Sequence, residues 1–284
     1  MSRERSRPSD VILDMLRSAR SRRRSVQSLI AAGRLFDLTE NTMRVTLSRL
    51  MARGIIESPA RGLYRLADTT DALNDFVERW RLGDKRMRPW TSGHWLFAHQ
   101  APASGTSNPA TGDTGSSLWA LDALGFREVQ TGLHVRPDNL NLTLAGLREL
   151  ARSIGLAGTT LLFCGTPETG AAEKWPELWN PRQLDRDYGN ALERLEASTA
   201  RLPALPQEAA CLECFSLGGE MIHRLAKDPL LPEQFVNASA RTRLWRRMLD
   251  YDALGKEIWT RGRQGAMDRM PHPKLASGVS AGAR

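Results

Sequence analysis

Residues 39–66 constrain this chain more than any other stretch, because they read as one capped amphipathic helix running into a short β-hairpin. Thr39 is placed to cap the helix, its hydroxyl accepting from free backbone N–H groups of the first turn, and Glu40 suits the positive end of the helix dipole. Met43, Leu47, Leu50 and Met51 recur at helical spacing and predict a buried stripe. The opposite face then carries Asn41, Thr42, Val45, Ser48 and Arg49, with Arg44 at its edge. Gly54 falls where a left-handed residue ends such a helix. Residues 55–58 and 63–66 flank the turn Pro59-Ala60-Arg61-Gly62, which puts Arg61 at the tip of a hairpin. This is the pattern of the back half of a winged helix-turn-helix. There, amide, hydroxyl and guanidinium groups and a small apolar contact meet base edges and phosphates in a DNA major groove. An ordinary amphipathic helix and hairpin with solvated arginines is the competing reading.

Charge favours the first. Of the 40 Lys+Arg and 32 Asp+Glu, residues 1–88 hold 19 and 11, which leaves 21 of each for the rest. The whole excess of +8 therefore sits on the segment that contains this helix. Arginine outnumbers lysine 35 to 5, which genome composition alone would produce, but composition would not confine the excess to one third of the chain. A polyphosphate partner explains it directly, since cations that neutralise phosphates release condensed counterions.

Length and cysteine content set broader bounds. A chain of 284 residues holds two or three small domains with their own cores. No run of eighteen apolar residues and no apolar signal-peptide core is present, so neither a membrane partner nor export is expected. Three cysteines argue against a disulfide framework and fit a reducing cytoplasm.

Periodicity along the chain predicts an α+β organisation. Residues 1–88 form the winged-helix unit, with helices at 10–16, 28–36 and 69–82 beside the one at 39. The run Arg20–Arg24 joins the first two of these helices. Residues 89–170 read as strand 95–100, a flexible Gly/Ser/Thr-rich insertion at 101–117, helix 118–124, strands 126–130 and 133–137, helix 141–154 and strand 159–165. That β-α-β-β-α-β order is the ferredoxin-like plan, which dimerises through its sheet in many proteins. It also occurs in RNA-binding domains, but those need exposed aromatics on the middle strands, and here His134 is almost alone. Residues 171–260 are expected to be helical, at 185–200, 208–226 and 240–260, and 261–284 to be a disordered tail.

Catalytic and metal motifs are missing. There is no Walker loop, dinucleotide fingerprint, HExxH or nucleophile elbow. Cys211-Leu-Glu-Cys214 lacks two further ligands at zinc spacing and reads as a pair of buried small hydrophobes. The five histidines form no evident ligand cluster, although His94 and His134 become neighbours if the first and third strands of the middle unit pair. The pairs Trp90/Trp95 and Trp175/Trp179 read as core or interface aromatics, or as the lining of an aryl pocket. No catalytic residue, metal or cofactor is expected.

The same residues resemble the PaaX-like transcriptional regulators, a family named for the repressor of phenylacetic acid degradation. The resemblance spans about residues 25–260. It rests on residues 29–36, 41–50 and 61–66, on Arg88-Pro-Trp-Thr-Ser-Gly-His-Trp95, on Leu124-Gly-Phe126, on residues 132–139 and on Lys227-Asp-Pro-Leu-Leu-Pro-Glu233. It implies a winged-helix DNA-binding domain, a ferredoxin-like (Cas2-like) dimerisation domain and a helical C-terminal domain. It further implies a homodimeric repressor of a catabolic operon on a palindromic operator, released by an acyl-CoA thioester such as phenylacetyl-CoA. On this view Asn41 and Arg49 read bases, and Arg44 reads a base or holds a phosphate. Val45 makes the apolar contact, and Thr42, Ser48 and Arg61 position the backbone. Arg136 and Arg224 are the candidates for the effector's phosphates, Trp175 and Trp179 for its acyl part. Two alternatives stand beside it: a metal-dependent nuclease built on the middle unit, and a DNA-binding module without a ligand switch.

Overall fold

Three apolar stripes at helical spacing close the first unit. In a computed structural model, which describes residues 7–17, 23–100, 114–168 and 170–268, helix α1 (Pro8–Arg17) buries Val11, Ile12, Met15 and Leu16. A short strand β1 (Arg23–Ser25) leads into α2 (Val26–Arg34), which buries Leu29, Ile30, Ala32 and Gly33. Helix α3 (Glu40–Ala52) adds Met43, Leu47 and Leu50. These side chains share one core with Ile56 of β2 (Ile56–Ala60) and Leu66 of β3 (Leu63–Leu66).

Two details depart from the sequence reading. Met51, which helical spacing places in the buried stripe, is 41 % exposed. At 3.6 residues per turn it lies roughly 80° around the helix from Met43, at the edge of the stripe rather than its centre. Strand β1 falls in the arginine run, where the sequence pattern predicts only a connection. It pairs antiparallel with β3, Arg23 opposite Arg65 and Ser25 opposite Leu63, giving a three-stranded sheet of order β1-β3-β2. The free edge of the hairpin recruits it, since nothing in the run itself alternates. Residues 20–22 of the run lie outside the described residues.

Helix α4 (Asp68–Glu78) continues into 3-10 turns over Arg79–Arg86, kinked at Gly83, that carry the chain toward the next sheet. The order expected for the middle unit is present: β4 (Trp95–His99), α5 (Thr114–Ala123), β5 (Arg127–Gln130), β6 (Leu133–Pro137), α6 (Leu144–Ser153) and β7 (Leu161–Gly165). The strands form an antiparallel sheet of order β5-β6-β4-β7. Alternation sorts its two faces. Leu96, Ala98 and Leu162 pack with Leu121 of α5 and Leu147 of α6, whereas Trp95 and Val135 pack on the other side with Trp179, Leu231 and Val236. Helix α5 begins at Thr114, so the last residues of the expected insertion are helical; 101–113 lie outside the described residues.

The remainder is helical. A 3-10 turn (Trp175–Trp179) precedes α7 (Pro181–Arg201), α8 (Gln207–Ala226) and α9 (Ala238–Asp268). Their shared core includes Leu195, Cys211, Met221, Leu244, Met248 and Tyr251. Helix α9 continues to Asp268, so the expected tail is helical at its start, and 269–284 lie outside the described residues. The three parts touch directly. Phe36, in the turn between α2 and α3, packs edge-on against Phe215 of α8 at 4.8 Å and stacks on Trp259 of α9 at 6.4 Å. Arg81 of the 3-10 stretch donates to Asp252 of α9 at 2.6 Å. The fold is α+β with two antiparallel sheets. Among the described residues no helix is long and apolar enough to cross a membrane.

Candidate nucleic-acid interface

Helix α3 is capped as its sequence requires. The Thr39 hydroxyl accepts from the Thr42 backbone N–H at 3.2 Å. At the other end Gly54 takes φ +66°, and the Ile55 N–H returns to Leu50 O at 3.0 Å, the hydrogen-bond pattern that closes a helix on a left-handed residue. Burying Met43, Leu47 and Leu50 inward turns the remaining positions outward. Asn41, Val45 and Ser48 follow one another at i, i+4 and i+7 along the exposed face, with Arg44 and Arg49 on either side. Val45 is 40 % exposed, an apolar group standing in solvent on an otherwise polar face.

These groups differ in their engagement. The Arg44 guanidinium is held by Glu40, its Nε donating at 2.9 Å, and Glu40 also lies 3.9 Å from Arg34. Such exposed pairs contribute about 0–1 kcal/mol and exchange readily for a phosphate. Thr42 shares a hydroxyl contact with Thr39 at 2.9 Å, so its oxygen belongs first to the cap. The side chains of Asn41, Ser48 and Arg49 have no hydrogen-bond or ionic partner among the described residues and are exposed. The hairpin turn is tighter than expected. Ala60 still pairs with Leu63, leaving Arg61-Gly62 as the turn, and a register shift between Glu57 and Ala60 absorbs Pro59. Ser58 Oγ contacts the carbonyl oxygens of Ala60 and Leu63 at 2.9 and 3.0 Å and stiffens the tip. Arg61 projects from it, exposed. All seven expected DNA-contacting residues therefore lie on α3 or the hairpin tip, six of them on one helix.

The four effector candidates fare differently. Arg136 is 1 % exposed and cannot meet a ligand's phosphates. Its guanidinium donates to the carbonyls of Leu124 and Pro229 and to Asn139 Oδ1 at 3.0 Å, knotting β6 to the end of α5 and to the segment after α8. Burial pulls its pKa down to about 9, against the favourable charges of Asp138 and Asp228. Trp179 is buried too, its indole N–H donating to Gly125 O at 2.9 Å. Trp175 is half-buried, edge-on to Trp95 at 4.9 Å. Both indoles cover the face of the sheet opposite α5 and α6, so the core reading of these tryptophans holds. Arg224 pairs with Asp187 of α7 at 3.5 Å. Cys211 and Cys214 are buried in α8, as expected of small hydrophobes.

The histidine reading needs two corrections. His134 sits opposite Ala98 in the β4–β6 register, so it is not the neighbour of His94. His94 instead lies with Asp138 and Cys164, all three ligating atoms within 4.8 Å of one another. No spacing motif announces this group, because each residue comes from the end of a different strand segment. A cavity of about 400 Å³ adjoins it, lined in part by Arg88, Leu96, Asp138, Leu147 and Cys164.

No family model and no curated protein matches this chain. Among solved structures, the uncharacterized protein Rv0674 from Mycobacterium tuberculosis is similar, with a TM-score of 0.58 and 22 % sequence identity, over 89 % of this chain and 97 % of that one. At that identity the likeness is one of fold.

Proposed function

We propose that this chain is a sequence-specific DNA-binding transcriptional regulator of the PaaX-like kind. Residues 1–88 act as its winged-helix domain, 89–170 as a ferredoxin-like dimerisation domain and 171–260 as a helical C-terminal domain. One observation carries the reading. The outward face of α3 presents Asn41, Ser48 and Arg49 without partners among the described residues, around an exposed Val45, on the one third of the chain that holds all its excess positive charge. Amide and guanidinium groups pair with adenine and guanine edges, and a small aliphatic group meets a thymine methyl. The dimer is supported by β7, an edge strand with Leu161 62 % and Phe163 45 % exposed. Two copies of α3 then enter successive major grooves, and the operator is an imperfect palindrome with half-sites roughly 10 bp apart or a multiple of that. An acyl-CoA thioester remains the effector class, without a part for Arg136 or the buried Trp179.

Fluorescence anisotropy on DNA from upstream of the chain's own gene, against a scrambled fragment and with a panel of acyl-CoA thioesters, tests this. Preferential binding released by one thioester establishes a repressor and its inducer. Preferential binding that no thioester changes keeps the DNA-binding function and removes the effector. Equal, salt-sensitive binding to both fragments would leave only a basic surface and defeat the proposal.

A further inference from the structure

His94, Asp138 and Cys164 bring one imidazole, one carboxylate and one thiol into a single cluster. His94 directly precedes β4, Asp138 directly follows β6, and Cys164 is in β7, so three adjacent strands each contribute one group at the same end of the sheet. Their alternation agrees: Leu96 lies opposite both Arg136 and Cys164, which places all three ligands on the face covered by the helices. We propose that this trio binds a zinc-class divalent cation, with a fourth coordination position open toward the adjoining cavity.

The donor chemistry selects the ion. A thiolate, a neutral imidazole and a carboxylate together carry two negative charges, matching a divalent cation. Sulfur and imidazole favour zinc or cobalt over magnesium or calcium, which take oxygen ligands. A tetrahedral ion with bonds of about 2.0–2.3 Å holds its donors roughly 3.3–3.8 Å apart. Cys164 Sγ and Asp138 Oδ2 are already 3.6 Å apart, and small side-chain rotations close the rest.

The scaffold around the ligands is fixed. Arg88 donates to Asp138 Oδ1 at 2.7 Å, which orients the carboxylate and leaves Oδ2 turned to the thiol. An outer partner of this kind sets ligand geometry in metal sites. The His94 carbonyl accepts from the Trp90 indole at 2.7 Å and from the Asp138 backbone N–H at 3.1 Å, and the His94 N–H bonds Ser92 Oγ at 3.2 Å. With three protein ligands, the fourth position is left for water or for a ligand atom entering from the cavity lined by Leu96 and Leu147. This site is independent of the DNA-binding reading.

The test uses the full chain, stripped with a chelator and titrated with Co²⁺. The expected result is saturation at one ion per chain, with a thiolate-to-cobalt charge-transfer absorption, the intense visible bands of a four-coordinate ion, and displacement of both by Zn²⁺. Cys164→Ser should abolish the charge-transfer band while leaving far-UV circular dichroism and the melting temperature of the stripped protein unchanged, since Cys164 is exposed. His94→Ala should weaken Co²⁺ binding by a factor on the order of ten or more. Absence of the charge-transfer band in the folded native chain, or titrations that Cys164→Ser and His94→Ala leave unchanged, would overturn the proposal.

Discussion

A β-carbon placed on Gly33 would lie 2.7 Å from both Cγ and Sδ of Met43. The Met43 side chain thus fills the space that any side chain at Gly33 would need, and Met43, fully buried, has little room to withdraw. Gly33→Ala should destabilise the protein by about 1–2 kcal/mol, the cost of overpacking less the helix propensity gained. Urea denaturation measures it; an unchanged midpoint would mean that α3 shifts freely against α2.

If α3 and the hairpin tip meet DNA as proposed, their residues should separate into two behaviours. Arg49→Ala should lose about 1–3 kcal/mol on the cognate site and relax the preference at one base pair. Arg61→Ala should weaken all sequences alike and lower the salt slope by about one. Anisotropy titrations on single-base operator variants at several salt concentrations distinguish them. A uniform loss for Arg49→Ala would reassign it to the phosphates.

Arg136 should behave as an interior strut. Replacing it by Met leaves the acceptors at Leu124, Pro229 and Asn139 short of donors and should destabilise by about 3–5 kcal/mol, a large part of the whole for a marginally stable fold. Lysine should rescue little, because one ammonium cannot reproduce a planar fork. Thermal melts decide it, and a lysine variant as stable as the native protein would rule out the fork.

Much of this was legible because its signals are local. The cap at Thr39, the stripe Met43-Leu47-Leu50 and the stop at Gly54 lie in one stretch, and the hairpin follows at once. The β-α-β-β-α-β order was legible from alternation and turn glycines. What the residues withheld depends on distant partners. Arg136 reads on the page as a basic residue in a strand, and its burial is decided by Leu124 and Pro229, 12 and 93 residues away. Strand β1 exists only because β3 offers an edge. The trio His94, Asp138 and Cys164 needs the strand order, which adjacency in sequence does not reveal.

His134 gives the pH dependence a sign. Burial holds its pKa below the ordinary histidine value of 6.5, against the raising effect of Glu128 and of the backbone at Gly132 and Ala98. The unfolded chain therefore binds more protons, so this contribution is intact above about pH 6.5 and is lost as pH falls through the lower folded value. Melting temperatures recorded from pH 7.5 down to pH 5 should fall less steeply in His134→Gln than in the native chain. Parallel curves would exclude His134 as the source.

Helix α9 spans 31 residues, about 46 Å at 1.5 Å per residue. Near its start Thr242 bonds Asp84 at 2.8 Å, and the indole of Trp245 fills the space a side chain on Gly83 would need. Farther along, Trp259 stacks on Phe36, at the entrance to α3. A stiff rod that packs at Trp245 and again at Trp259 joins the two contacts. A tilt of about 5° at Trp245 would sweep Trp259 through roughly 2 Å, more than a base-edge hydrogen bond tolerates. A small angular change of α9 beside Gly83 would thereby reach Phe36, ahead of α3, as a displacement of the turn that sets that helix.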